Sequence, residues 1–223
     1  MGKGEQTRLT VLARAADLAA REGLSTLTIG DLAHRTQLSK SGLFGHFQSK
    51  EALQLAVLAY ARDKFTDEVI RPAVRTPRGE PRVRVLFEHW LVVAARMNAE
   101  CLFVSASAEF DDRPGPVRDQ LVRDHLDCRD SITQMFRTGI AEGDFREDAD
   151  PEQFAHELVG IMLGLFHAHR LLGDAAAPER ARRAFESVLA GCRAPGRAPR
   201  LPEPAAAGQP QPPTRPRLEP SRS

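Results

Sequence analysis

Residues 24–53, LSTLTIGDLAHRTQLSKSGLFGHFQSKEAL, constrain this chain more than any other stretch, because they spell two short helices joined by a tight turn, with a longer helix directly after. Upstream, Leu12, Ala15, Ala16 and Ala19 recur at helical spacing, which predicts an amphipathic helix from about Thr7 to Glu22. Gly23 follows it, where a left-handed residue costs little. Thr28 precedes Ile29, Leu32 and Ala33, so its hydroxyl can cap a second helix ending near Arg35, with Asp31 as a weak capping-box partner. Thr36, Gln37 and Leu38 make the turn, and Leu38 is the apolar residue expected to pack the two helices together. Ser39 is a good cap for a third helix from Lys40 to about His46.

That third helix carries Gly42 and Gly45, each costing about 1 kcal/mol against alanine in a helix. A helix that only filled a core gains nothing from them, whereas a bare backbone can approach a ligand closely. No carboxylate stands between Leu32 and Lys50, and two of the four lysines in the chain, Lys40 and Lys50, flank the third helix. A short positive helix in this arrangement is suited to a DNA major groove.

The order Val11-Leu12, Gly23, Thr28, Leu32-Ala33, Leu38-Ser39, Leu43-Phe44, His46-Phe47, Ser49-Lys50-Glu51 and Leu53 resembles the tetracycline-repressor (TetR) family of bacterial regulators. Residues 108–119, AEFDDRPGPVRD, are similar to a segment in the ligand-binding half of one branch of that family, which extends the resemblance to about residue 191. By this resemblance Thr28, Lys40, Phe44, His46 and Lys50 line the DNA backbone, Ser39 opens the reading helix, and Ser41 and Gly42 lie nearest the bases. His46 has a second reading as a capping or packing histidine, and Phe47 reads as core. The chain departs from the family's usual Ala-Gly turn at Thr36-Gln37, so Gln37 must take the turn geometry that a glycine usually serves. Phe44 replaces a frequent tyrosine, and with it goes a hydroxyl for phosphate.

At 223 residues, 42% hydrophobic and 27% charged, the chain fits one small and one medium domain of a globular protein. A net charge of +1 confines any DNA affinity to local positive charge. No apolar run approaches the ~20 residues of a membrane span, and MGKGEQTR lacks the apolar stretch of a signal peptide. Cys101, Cys128 and Cys192 are odd in number and widely spaced, which speaks against a disulfide framework and for a cytoplasmic protein.

The body reads as all-α, about nine helices in total. A long helix capped by Ser49 is predicted from about Lys50 to Ile70 and ended by Arg71-Pro72. Further helices are predicted over Arg82 to Asn98, Cys101 to Phe110, Val117 to Glu142, Pro151 to Leu172 and Pro178 to Ala190. The expected division is a helix-turn-helix domain over 1–48, a ligand-binding and dimerisation domain over 49–192, and a disordered Pro/Ala/Arg-rich tail over 193–223. The arginines of that tail, Arg193, Arg197, Arg200, Arg215, Arg217 and Arg222, can attract DNA weakly; the plainer reading is an inert tail.

No Walker A, GxGxxG, GxSxG or HExxH motif is present, so no enzyme activity, cofactor or metal is expected. His125 and Cys128 share a helix face, a spacing more often met in core packing than in a metal site. Trp90, Phe103, Phe110, Met162 and Phe166 read as core; the resemblance implies a cavity among the helices, which they would line together with His125. Gly160 and Gly164 are four apart, with Leu163 and His167 beside them, a smooth stripe for close helix packing either within one subunit or across a homodimer. The resemblance thus implies a ligand-responsive regulator, a repressor released from a palindromic DNA operator by a small hydrophobic effector. The alternative is a helical small-molecule or lipid-binding protein without specific DNA binding.

Overall fold

The computed structural model describes residues 2–97 and 100–202, and its regular structure is helical apart from one isolated bridge between Phe145 and Arg193. Three helices come first: α1 (Lys3–Glu22), α2 (Ile29–Thr36) and α3 (Lys40–Phe47). α4 (Lys50–Phe65) continues through a π-helical segment, Thr66–Ile70, into α5 (Arg71–Arg75). α6 (Glu80–Arg96), α7 (Leu102–Phe110), α8 (Pro116–Ala141) and α9 (Pro151–Phe166) follow. A second π-helical segment, His167–Leu171, extends α9, and α10 (Ala177–Cys192) is the last helix described. Counted as continuous rods, these make the expected nine. No helix among the described residues is long and apolar enough to cross a membrane.

Several boundaries differ from the sequence reading. α1 begins at Lys3, ahead of Thr7, because its first turn is polar and so silent to apolar periodicity. Arg71-Pro72 does not end the rod that starts at Lys50. A proline ring normally collides with the carbonyl four residues back, and the wider π turn just before Pro72 relieves that collision. α6 opens at Glu80, with Pro81 in its first turn, where the missing N–H has no helical partner to lose.

Two apolar cores lie along the molecule. One joins Val11, Leu12, Ala15, Leu32, Leu43 and Phe47 to Leu53, Val57 and Leu58 of α4, Leu102 and Ala106 of α7, and Val117 and Leu121 of α8. The division expected at residue 48 is therefore not a core boundary, since α4, α7 and α8 complete the N-terminal core. Leu38 is a correction too: Ile29, Leu32, Ala33, Leu43 and Phe47 already fill the space between α2 and α3, and Leu38 stays 37% exposed.

The second core holds Val69, Ala73, Leu86, Phe87, Leu158 and a set of stacked rings. Phe136 lies between Phe145 and Phe154, with centroids 4.3 and 4.2 Å away. Truncating such a buried ring to alanine costs about 3–5 kcal/mol.

The segment after α10 is also corrected. Arg193 donates to both carboxylate oxygens of the buried Glu80, at 3.1 and 2.7 Å, and Arg84 donates to the same group. Ala194 N reaches Asp144 O at 2.9 Å, and Arg200 Nη1 reaches both carboxylate oxygens of Asp144 at 3.0 and 2.8 Å. Composition alone hides this, because two buried carboxylates far upstream in sequence hold the strap. Arg215, Arg217 and Arg222 lie outside the described residues.

Candidate nucleic-acid interface and cavity

Three hydroxyl caps set the N-terminal helices. Thr28 Oγ1 accepts from Asp31 N at 3.1 Å, Ser39 Oγ from Gly42 N at 3.1 Å and Ser49 Oγ from Ala52 N at 3.0 Å. The turn between α2 and α3 places Gln37 at φ 57, ψ 25, so glutamine does adopt the left-handed geometry. Gln48, between α3 and α4, has φ 61, which no turn residue in the sequence signalled.

The two glycines of α3 separate in role. A Cβ on Gly42 would sit 2.9 Å from Ser39 Oγ, so Gly42 lets the cap close, whereas a Cβ on Gly45 meets nothing within 4 Å.

Ser39, Lys40, Ser41, Gly42, Phe44, His46 and Lys50 are all exposed, and Thr28 is half-buried at the edge of the same surface. Lys40 Nζ lies 5.9 Å from the Phe44 ring centroid, a cation over an exposed aromatic face. Lys50 Nζ donates to Ser25 O at 2.5 Å, which leaves two of its three N–H groups for another acceptor. Arg35 is differently placed: Glu22 and Asp31 neutralise it, and these carboxylates hold its guanidinium above the ordinary arginine range. Phe47 is buried as expected, with the Arg8 guanidinium 5.7 Å from its ring.

Side chains from the body hold the turn between α1 and α2. Glu109 of α7 accepts from Leu24 N at 2.9 Å and from Ser25 N at 2.7 Å. Gly23, at φ 99, keeps space for that carboxylate; a Cβ there would lie 3.0 Å from Glu109 Oε1. Gln54 Nε2 donates to Leu24 O at 2.9 Å. Arg170, in the π segment after α9, donates to Ala20 O at 3.1 Å and Arg21 O at 3.4 Å, carbonyls at the negative end of α1.

A cavity of about 450 Å³ opens among α4, α6, α7, α8 and α9. Trp90, Phe103, His125, Met162 and Phe166 line it. Phe110 does not; at the far end of α7 it packs on the N-terminal core, with the Arg113 guanidinium 5.9 Å from its ring. A second cavity of about 260 Å³ shares Phe65, Trp90, Cys101, Phe103 and Phe166 with the first and reaches Ala13, Ala16 and Asp17 of α1. Phe65 and Trp90 meet edge to face, with centroids 5.2 Å apart, in the shared wall.

Sequence reasoning missed Arg62, Phe65, Asp124 and His156 in the lining of the larger cavity. Asp124 carried a signal: Val117, Leu121, Asp124, Cys128, Ile132 and Met135 follow one helical stripe, and an acid on an apolar stripe is out of place.

Charged and polar side chains, among them Arg62, Asp124, His125, Asp127, Arg129 and His156, complete the lining of the larger cavity. Asp124 Oδ1 accepts from Gln120 Nε2 at 2.8 Å and from Arg62 Nη1 at 3.5 Å. Burial pushes the Asp124 carboxyl above the usual range, against Gln120 and Arg62. His125 Nε2 and Ser107 Oγ are 2.7 Å apart, and Ser107 Oγ also lies 2.7 Å from Phe103 O, the acceptor for its one proton when His125 donates. Burial lowers the His125 pKa, with Asp124 acting the other way. Cys128 is pushed up to about 12 by burial and stays a thiol.

Gly160, Leu163, Gly164 and His167 all lie on the exposed side of α9 and its extension. A Cβ at either glycine meets nothing within 4 Å, and Leu163 is 45% exposed, so the stripe is not buried within the subunit.

Residues 11–57 match the family described as bacterial regulatory proteins, tetR family, and residues 79–185 match the tetracyclin repressor-like C-terminal domain. The HTH-type transcriptional regulator TtgR of Pseudomonas putida is 22% identical over 178 residues, which cover 78% of this chain and 84% of that protein. A TetR transcriptional regulator from Chloroflexus aurantiacus superposes with a TM-score of 0.74 at 27% identity, over 85% of this chain and 96% of that one. A TetR-family transcriptional regulator from Streptomyces coelicolor gives 0.73 at 22% identity, over 84% and 96%. With its capped helix-turn-helix, its all-α body and both halves matched, the chain belongs to the tetracycline-repressor family of DNA-binding transcriptional regulators.

Proposed function

We propose that this regulator is a cytoplasmic homodimeric repressor that leaves a palindromic operator when a small hydrophobic effector fills the larger cavity. In this reading α3 enters the major groove. Ser41 and Gly42 face the bases, and Ser39, Lys40, Phe44, His46, Lys50 and Thr28 face the phosphates. The exposed glycine stripe of α9, with Leu163 and His167, meets its two-fold copy, and the dyad sets two readers ~34 Å apart. The work divides between residues 1–48, which read DNA, and 49–192, which bind effector and partner.

One observation carries the reading: the aromatic wall of the larger cavity is also the wall of a cavity that reaches α1. A ligand that moves Phe65, Trp90 or Phe166 therefore acts on the helix that supports the DNA reader. Release by two orders of magnitude needs about 2.7 kcal/mol of difference in effector affinity between the two states.

The test is operator binding by gel shift, with DNA flanking its own gene, across a range of salt. Lys40→Ala with Lys50→Ala should weaken binding to all sequences and lower the salt slope by about 0.9 for each phosphate that is no longer neutralised. Ser41 variants should change sequence preference instead. Unchanged binding by the double-lysine variant rules out α3 as the reader, and a parent with no operator preference rules out the regulator reading in favour of a carrier.

A further inference from the structure

We infer that the larger cavity recognises an apolar molecule through a protonated amine, with Asp124 as its acceptor. This rests on the reading that the cavity holds the effector, and it names the chemistry of that effector. The Asp124 side chain is 2% exposed, and its Oδ2 has no hydrogen-bond partner among the described residues. A buried acceptor without a donor is costly, and a ligand that supplies the donor gains what the protein forgoes. The other oxygen is already engaged by Gln120 and Arg62, so the free lone pairs are those of Oδ2.

Charge selects an ammonium over a neutral donor. Arg62 is the cation nearest Asp124, but at 3.5 Å it stands off, and it makes a closer 3.1 Å contact with Asp63 on the surface. The Asp124 charge is thus only partly met from within the protein. The rest of the wall suits the remainder of such a ligand. Phe65, Trp90, Phe103 and Phe166 offer aromatic faces, which attract a cation as well as an apolar body, and Val159 and Met162 add aliphatic surface. A volume of about 450 Å³ falls in the range of small-molecule sites. His125 is bonded to Ser107 and has its pKa lowered by burial, so it adds no fixed positive charge against an amine, and the two arginines of the lining, Arg62 and Arg129, are matched in number by two acids, Asp124 and Asp127. The ligand needs at least one N–H, because a quaternary ammonium balances charge and leaves Oδ2 without its donor.

The experiment uses the full chain and a matched panel: phenylbutylamine, phenylbutanol and phenylbutyrate, with the corresponding amine, alcohol and acid on naphthyl and anthryl bodies. Binding is followed by Trp90 emission, since Trp90 is the single tryptophan and lines the cavity. Operator release is followed in parallel. Amines should bind about tenfold or more tightly than alcohols of the same body, which is ~1.4 kcal/mol. Carboxylates should bind weakest. Asp124→Asn should remove the preference for amine over alcohol while alcohol affinity holds. Arg62→Gln should strengthen amine binding, because the competing cation is gone; a merely structural Arg62–Asp124 contact does not predict that gain. Circular dichroism confirms that each variant is folded.

If no amine in the panel binds, if alcohols or acids bind as well as amines, or if Asp124→Asn keeps the preference, the proposal is overturned. Alcohols that bind and release operator without an amine preference overturn the amine alone and leave the ligand-released regulator standing. Amines that bind through Asp124 and leave operator affinity untouched keep the recognition and overturn the release.

Discussion

Glu109 offers the most direct test of how the body holds the DNA-reading half. Its carboxylate takes two backbone amides of the turn after α1, Leu24 N at 2.9 Å and Ser25 N at 2.7 Å. Hydrogen bonds to a charged acceptor contribute about 1.5–3 kcal/mol each when buried, and the lower end applies here because the site is partly open to water. Glu109→Gln keeps one acceptor oxygen and turns an NH₂ toward the other amide, so we expect a loss of about 1–2 kcal/mol. Glu109→Ala removes both acceptors and should lose about 2–3 kcal/mol. Amide hydrogen exchange at Leu24 and Ser25 reads the bonds directly, and each ~1.4 kcal/mol of lost protection speeds exchange about tenfold. Urea unfolding measured on the same proteins gives the global loss. If exchange at both amides and the urea midpoint match the parent in Glu109→Ala, the carboxylate does not hold this turn and the argument from its geometry fails.

Glu80 gives the chain an acid-sensitive latch. Burial alone would raise its pKa, but the bonds from Arg193 and Arg84 and from the Arg200 amide outweigh it and hold it below the ordinary value. Its contribution is therefore full above the unfolded glutamate pKa of about 4.3 and is lost as pH falls through the lower folded value; Glu80→Gln should flatten this acid limb in thermal unfolding across pH. Gly160→Leu with Gly164→Leu should give a monomer in sedimentation at micromolar concentration, and a double variant that remains dimeric moves the interface off α9. Gln37→Gly relieves a left-handed side chain at φ 57 and should stabilise the protein by about 0.5–1 kcal/mol in urea unfolding, net of the entropy that glycine adds.

The sequence made the helices legible because their apolar residues repeat at 3.6 and their ends carry Thr28, Ser39, Ser49 and Gly23. The exposed face of α3 and its caps were legible for a similar reason: capping and exposure are decided within a few residues. What stayed hidden depends on contacts distant in sequence. The route through Pro72 rests on a π turn that leaves no mark in composition. The strap from Arg193 to Arg200 rests on Glu80 and Asp144, more than fifty positions upstream. Phe110 reads as core, and only the resemblance puts it in the cavity lining; it lies at the end of α7 that faces the N-terminal core. Asp124 was overlooked beside the more conspicuous His125, although its place on the apolar stripe of α8 marked it.

Five side chains, Phe65, Trp90, Cys101, Phe103 and Phe166, line both cavities and make a shared wall. Occupancy and response are then different properties of a ligand. Under the proposed mechanism a short molecule confined to the larger cavity would leave the shared wall in place and act as an antagonist, excluding others without touching α1. A longer one that displaced Trp90 or Phe166 would reach the wall made by Ala13, Ala16 and Asp17. Along a series of increasing length, affinity would grow smoothly while efficacy would switch on at one step, at the length where the shared wall gives way.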